Sequence, residues 1–283
     1  MFYPIQQTTI LILLIAGRYK YMNQAIQLDK DKWFEFSTKQ IGAIIQAPTG
    51  QGKTRFLSYL ILSVTKLGAD VYFIDGKRAD LYSLRFIFVD SERGKHVAST
   101  PNQACRLLRE LVERMNLRYE RYFSNEDSAV GENYSFYNLR PVFLFFDELM
   151  ATIGEDKKLG KEIESYLIQI MLKGRQAGIF AILSSQRFSA EVLSTTIREN
   201  AGMRVALGRM SKDSYKMVLG DFYDELPAAE KGIGKGYIFL DGLGWSMPRA
   251  FQAPILDISK IDVKNVLKQY LENGKNLYLN EEI

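Results

Sequence analysis

The sequence predicts an α/β fold, a mostly parallel central sheet with helices on both faces, and three observations carry that expectation. Short, unbroken apolar runs recur at Ile41–Ile45, Val71–Asp75, Pro141–Phe146 and Ile179–Ser184, and continuous hydrophobicity suits strands covered on both faces. Stretches with apolar residues at helical spacing alternate with these runs, the pattern of strand–helix–strand units. The first run leads directly into Ala47-Pro48-Thr49-Gly50-Gln51-Gly52-Lys53-Thr54 and then into an amphipathic segment. A glycine-rich turn between a buried strand and a helix is the context in which such a loop acquires meaning.

Each element follows in order. At the N-terminus, Ile10–Ala16 is strongly apolar but shorter than the ~20 residues that span a bilayer. It is followed by Gly17-Arg18-Tyr19-Lys20 rather than a small-residue cleavage site. The run reads either as a strand or helix packed on the core or as the end of a membrane-anchoring region. Residues 1–32 are therefore set apart as an N-terminal segment, and residues 33–283 as one domain. The strand at Ile41–Ile45 precedes a helix over Arg55–Lys66, and Val71–Asp75 is the next strand. In Asn102–Phe123, Leu107, Leu108, Leu111, Met115 and Tyr119 share one helical face. The polar stretch Ser124–Leu139 reads as a loop, Pro141–Asp147 as a strand, Ile153–Gly160 as a charged loop and Lys161–Gln176 as a helix. A strand at Ile179–Ser184, a helix over Ala190–Asn200, a strand at Met203–Leu207 and a helix over Ser211–Leu219 come next. Tyr237–Leu240 and Arg249–Ala253 form a terminal strand pair, closed by a helix over Ser259–Glu272. No internal repeat or low-complexity linker interrupts this order, so the reading is a single RecA-like domain.

Composition agrees. The 283 residues are 47% hydrophobic and 25% charged, ordinary for a chain with a sizeable core. A net charge of +4 leaves any nucleic-acid contact to local clusters rather than to a global basic field. Cys105 is the single cysteine, which excludes an intramolecular disulfide and fits a reducing compartment. His96 is the single histidine, so neither a histidine zinc site nor a histidine triad can be built, and its expected role is structural.

The chemistry sits in two places. Gly50 and Gly52 allow a tight backbone turn whose N–H groups converge on an anion, and the helix starting near Lys53 adds its positive dipole end. Lys53 reaches β- and γ-phosphates, and the Thr54 hydroxyl is placed to hold Mg²⁺. Thr49, Gly50, Gln51, Gly52, Lys53, Thr54 and Arg55 are the expected contacts to ATP. Ala47 stands where such loops usually begin with glycine, and a small residue is tolerable there. The second place is the strand end Asp147-Glu148: Asp147 is the expected Mg²⁺ ligand, and Glu148 the group that orients and deprotonates the attacking water. A nucleoside-monophosphate kinase or a GTPase would not need the second acid, so the pair favours an ATPase.

The ordered motifs resemble the motor domain of the FtsK/SpoIIIE family of DNA translocases, within the HerA–FtsK class of P-loop ATPases. Val71-Tyr72-Phe73-Ile74-Asp75-Gly76-Lys77-Arg78-Ala79-Asp80-Leu81 resembles the family strand ending in Asp-Pro-Lys, with Gly76 in place of proline. Arg118-Tyr119-Glu120-Arg121-Tyr122 resembles its Arg-Tyr helix end, and Lys173-Gly174-Arg175-Gln176-Ala177-Gly178-Ile179 its Gly-Arg-Ala-x-Gly-Ile segment. Ser184-Ser185-Gln186-Arg187-Phe188-Ser189 resembles Thr-Gln-Arg-Pro-Ser, with Phe188 in place of proline, and Ile197–Leu219 the stretch carrying an Arg and a Ser, here Arg204 and Ser214.

The resemblance spans about Trp33 to Leu256. It implies that Gln186 senses the γ-phosphate or positions water, its alternative being a polar strand end. It implies that Arg175 is an arginine finger acting on a neighbouring subunit, its alternative being a solvated helix-end cation. Arg187, Arg204 and Arg249 are weaker candidates, each equally readable as an ion-pair partner. It further implies nonspecific, phosphate-mediated DNA binding, through the charged loop Glu155–Lys161 and the basic segment Arg198–Lys216, and assembly into a ring, a hexamer by resemblance. The chain ends about thirty residues past the last motor strand, with no winged-helix module, and so looks most like FtsK-type coupling proteins of Gram-positive conjugative elements. Such a motor would work in the cytoplasm at the inner face of the membrane, with a relaxase and secretion-channel proteins as partners. A chromosome-segregation or packaging motor, an FtsK-like ATPase that exports protein, and a non-hydrolysing ATP-binding module remain as alternatives.

Overall fold

The apolar runs become neighbouring strands of one sheet. A computed structural model describes residues 24–278 apart from 37–38, 125, 127, 129, 190–192, 221–225, 255, 258 and 276; the apolar run at 10–16 lies outside them. A small antiparallel hairpin, β1 (Ile26–Gln27) and β2 (Trp33–Phe34), precedes β3 (Ala43–Gln46), α1 (Lys53–Lys66) and β4 (Asp70–Asp75). A 3₁₀ turn (Tyr82–Ile87) leads to α2 (Asp90–His96), β5 (Val97–Ala98) and α3 (Pro101–Arg118), whose last turn widens into a π-turn over Tyr119–Phe123. Then come β6 (Val142–Asp147), α4 (Leu149–Glu155), α5 (Lys157–Ala177), β7 (Ile179–Ser185), α6 (Thr195–Asn200) and β8 (Met203–Leu207). The described part closes with α7 (Lys212–Leu219), β9 (Lys235–Leu240), β10 (Arg249–Gln252) and α8 (Val263–Gly274).

The sheet has eight strands in the order β10-β9-β8-β3-β7-β6-β4-β5. Pairing is parallel from β8 through β5 and antiparallel for β8–β9 and β9–β10. Alternation along β6 shows how both faces are filled: Phe143 and Phe145 join α1, α8 and the hairpin on one side, while Val142, Leu144 and Phe146 join α3 and α5 on the other. The predicted sheet with helices on both faces is what forms. The hairpin straddles residue 33, and Ile26, Leu28, Phe34 and Phe36 lie in the same core as α1.

Two sequence expectations change. The segment Ile153–Gly160 is not a loop: α4 runs to Glu155, and α5 starts at Lys157 after the single residue Asp156. Asp156 caps α5, its carboxylate accepting from the N–H groups of Lys158 (2.8 Å) and Leu159 (3.0 Å). The run of charges is a helix start facing solvent. Within the segment expected as a helix from Ala190, residues 190–192 are outside the described set, and the helix begins at Thr195 after the Ser194 cap. His96 is structural, as expected: its ring stacks on Phe88 and Tyr72, and Nδ1 lies 3.0 Å from the Val71 carbonyl.

The conspicuous residues of the α3 end and of the segment before β7 have packing reasons. Arg118, fully buried, donates to the carbonyls of Ala177 (2.5 Å) and Arg140 (2.7 Å), joining the approaches to β7 and β6. Gly178 closes α5 in the left-handed conformation (φ 74°), and a Cβ there would lie 2.3 Å from the Tyr134 ring. A Cβ on Gly174 would lie 1.9 Å from the Ile179 carbonyl oxygen, backbone that cannot give way. Gly174→Ala should therefore lower unfolding stability by about 2–3 kcal/mol through overpacking; a urea midpoint equal to that of the unaltered chain would show that α5 does not press on β7 in this way.

Candidate active site

Parallel strands deliver their C-terminal ends to one edge of a sheet, and every part of the candidate site lies there except one. Between β3 and α1 the chain turns through Gly50 (φ 79°) and Gly52 (φ 95°), both left-handed. No side chain caps the N-terminus of α1, so its first N–H groups face the cleft as an anion-binding end. Ala47 is fully buried and donates its N–H to the Ser185 carbonyl (3.2 Å). It belongs to the strand end rather than the phosphate-facing turn, and a glycine is not required there. The far side of the loop is braced by the Gly234 N–H, which donates to the Gln51 carbonyl (3.0 Å). The cleft beside this loop holds about 500 Å³ and is also lined by Asp80, Gln186 and Ile233.

Lys53 bridges the loop to the acidic strand end. Its ammonium pairs with Asp147 Oδ1 and lies 3.6 Å from Glu148 Oε2. Asp147 also accepts from the Ser184 hydroxyl (2.5 Å). Glu148 is buried, and both carboxylate oxygens are engaged. Oε1 accepts from the Ser185 hydroxyl (2.8 Å) and the Gln186 N–H (3.4 Å), and Oε2 pairs with Lys77 (3.0 Å). Burial pushes the Glu148 pKa up, but the hydrogen bonds from Lys77 and Ser185 and the charge of Lys53 outweigh it. The group therefore lies below the ordinary glutamate value and is ionised at neutral pH. Its backbone is left-handed (φ 55°), a conformation that costs a non-glycine residue about 1–3 kcal/mol and that clusters at functional positions.

The structure brings Lys53, Thr54, Asp147, Glu148 and Gln186 to this one edge. Arg175 is not among them. It is exposed in the last turn of α5, before the start of β7, while Gln186 follows that strand's end. Seven residues of strand separate them, about 23 Å at 3.3 Å per residue. Arg204, half-buried on β8, stacks on Phe239 and lies 3.7 Å from Asp241. Arg249 covers the Trp245 ring and Arg209 donates to the Ala229 carbonyl (3.1 Å). These three cations hold the molecule's own structure.

Four contributors carried no assigned role in the sequence reading: Lys77, Asp80, Ser184 and Ser185. The serines end β7 beside the two acids, which the register Asp147↔Ser184 requires. Lys77 and Asp80 ride on the loop after β4. That loop is wound around buried Asp75, whose carboxylate accepts from the N–H groups of Lys77 (3.0 Å), Ala79 (2.9 Å) and Tyr82 (3.1 Å). Gly76 fits there because a Cβ would lie 2.3 Å from Thr152 Oγ1. A lone carboxylate at a strand end, followed by glycine and polar residues, was the available signal. Among the described residues no group of three or more His, Cys, Asp and Glu gathers as a metal site. Thr54 and Asp147 offer a small set of hard oxygen donors at the edge of a phosphate-binding cleft. That set suits Mg²⁺, which keeps several waters and shares substrate phosphates rather than entering an all-protein cage.

No family model matches the chain. Among curated proteins it is 36% identical over 214 residues to the FtsK domain-containing protein YdcQ of Bacillus subtilis (strain 168), covering 75% of this chain and 43% of that one. It is 26% identical over 235 residues to the DNA translocase FtsK of Chlorobaculum tepidum, covering 77% of this chain and 28% of that protein. The chain thus spans less than half the length of these relatives. Among solved structures, the pCW3 conjugation coupling protein TcpA, a monomer form with ATPγS, superimposes with a TM-score of 0.72 over 88% of this chain and 72% of that one, at 21% identity. That likeness bears on the fold. Over three quarters of its length the chain is thus related to an FtsK domain-containing protein, and the sheet that carries its ordered motifs has the architecture of a P-loop ATPase.

Proposed function

We propose that this chain hydrolyses ATP to drive DNA through a ring of its own copies, during conjugative transfer. The observation that carries the reading is the convergence of the Gly50–Thr54 turn, Lys53 and the Asp147–Glu148 pair at one sheet edge. The loop N–H groups and the α1 N-terminus would bind the phosphates, with Lys53 turning from its carboxylates to the phosphate charge. Thr54 and Asp147 would hold Mg²⁺, which when bound neutralises charge on the β- and γ-phosphates. Glu148 would orient a water for in-line attack on the γ-phosphorus and take its proton on a carboxylate oxygen, giving ADP and inorganic phosphate. Gln186, on the cleft wall, would report the γ-phosphate through its amide.

Lys53→Ala should abolish hydrolysis and weaken nucleotide binding. Glu148→Gln should keep binding while turnover falls about 10²–10⁴-fold, the range for losing a general base. Steady-state phosphate release by a folded Glu148→Gln protein at the unaltered rate would remove Glu148 from this role.

DNA as cargo is supported by relatives whose names are DNA translocase and conjugation coupling protein, and by Arg198, Lys212 and Lys216 of the basic segment from Arg198 to Lys216, in which Arg204 and Arg209 are engaged within the fold. Work beside a membrane channel, with a relaxase and channel proteins, is part of the same proposal; no helix of the described residues is long and apolar enough to cross a membrane. Binding should be sequence-independent. A site neutralising 6–10 phosphates would lose about 10³–10⁵ in affinity between 50 and 200 mM salt. Affinity unmoved by salt, or ATPase stimulated by a peptide and not by DNA, would turn the reading toward protein export.

The ring gives Arg175 its place. It lies on the exposed last turn of α5, a strand's length from its own cleft, on a face a neighbouring copy would meet. Arg175→Ala should bind ATP yet lose about 10³–10⁵ in rate, and mixing it with Lys53→Ala should restore part of the activity, because a mixed interface joins an intact loop to an intact arginine. Mixed rings that never complement would leave Arg175 a helix-end cation.

A further inference from the structure

Asp80 lies on the cleft wall with no part in the roles assigned above, and its Oδ2 accepts a hydrogen bond from the Thr54 hydroxyl at 3.0 Å. A hydroxyl has a single hydrogen and two lone pairs. Once the hydrogen is committed to Asp80, the oxygen can offer its surroundings only lone pairs, and a magnesium ligand needs to offer nothing else. We propose that Asp80 is a positioning residue for the metal ligand Thr54: it takes the hydroxyl hydrogen and leaves the oxygen's lone pairs for the Mg²⁺ of a bound nucleotide. The inference rests on the nucleotide-hydrolysis reading above.

The loop is built to hold Asp80 in place. The residue sits between two backbone anchors, since the N–H groups of Ala79 and Tyr82 both donate to Asp75. A third tie follows, the Ser83 hydroxyl donating to the Asp80 carbonyl (2.7 Å). Just upstream, Arg78 is left-handed (φ 54°), a conformation few residues adopt unless their surroundings impose it. Asp75 is itself paired with Asp147 in the β4–β6 register. The pinned loop and the candidate metal carboxylate therefore start from the same level of the sheet. Thr54 is fixed from its own side by the first turn of α1. The Thr54–Asp80 bond thus joins two preset elements 26 residues apart, and partners of this kind typically contribute 10–100-fold to metal affinity.

The test is binding of a fluorescent ADP to the full chain, with and without Mg²⁺, alongside the Mg²⁺ dependence of ATP turnover. In Asp80→Ala, metal-free ADP affinity should be retained or rise, while the Mg²⁺ concentration giving half-maximal tightening should increase about tenfold. Asp80→Asn, whose amide oxygen accepts the same bond, should lose less. Thr54→Ala/Asp80→Ala should be no worse than Thr54→Ala, because Asp80 acts through Thr54. The inference is overturned by an unchanged Mg²⁺ dependence in Asp80→Ala, or by an equal loss of binding without metal. It is also overturned by Asp80→Asn matching Asp80→Ala, or by effects of the two alanine changes that multiply. An unaltered chain whose ADP binding ignores Mg²⁺ would instead overturn the reading beneath it.

Discussion

The ammonium of Lys53 between Asp147 and Glu148 is the contact around which the site is arranged. Two neighbouring carboxylates at the end of a buried strand are expensive to keep ionised without a positive partner. Lys53 supplies that partner from the first turn of α1, which fixes the phosphate loop against the end of β6. Ser184, Ser185 and Lys77 add further hydrogen bonds and charge to the two carboxylates. On the proposed function, this is the arrangement a nucleotide would rearrange. A phosphate that drew Lys53 away would leave Asp147 in need of positive charge, a deficit a divalent cation would fill. Such an exchange of one cation for another at a fixed carboxylate pair would make metal and nucleotide binding interdependent.

How much of this was legible in the sequence depended on whether the signal was local. The loop from Ala47 to Thr54 and the pair Asp147-Glu148 were readable because their chemistry is written in consecutive residues. The inner strands were readable because burial on both faces leaves unbroken apolar runs. Helix boundaries were less so: Asp156 looks like part of a charge run until its carboxylate is seen to accept the N–H groups that open α5. β5 and α2 are too short to show a period. Lys77 and Asp80 could not have been assigned roles, since these depend on a loop wound around Asp75 that crosses to meet Glu148 and Thr54 from another part of the chain. The glycines before β7 were visible as a motif, whereas their reason, a backbone oxygen 1.9 Å from any Cβ on Gly174, is a tertiary fact.

The parallel sheet also divides labour between its two edges. The C-terminal edge gathers the loop, both acids, the serines and Gln186. The opposite edge holds the buried Arg118 with its two carbonyls, and the exposed Arg175 one turn before β7. These edges are joined by β7, which pairs with β6 over Ile179–Ser184 and with β3 over Ile182–Ser185. The strand is a continuous hydrogen-bonded connection between the two edges. Ser184, Ser185 and the Gln186 N–H, which hold the carboxylates of Asp147 and Glu148, sit at that end. In the proposed ring, an arginine that meets a neighbour's phosphate before β7 would be joined through that strand to the groups that hold its own subunit's acids. On that proposal, the same strand would both separate Arg175 from its own cleft and link it to that cleft's acids.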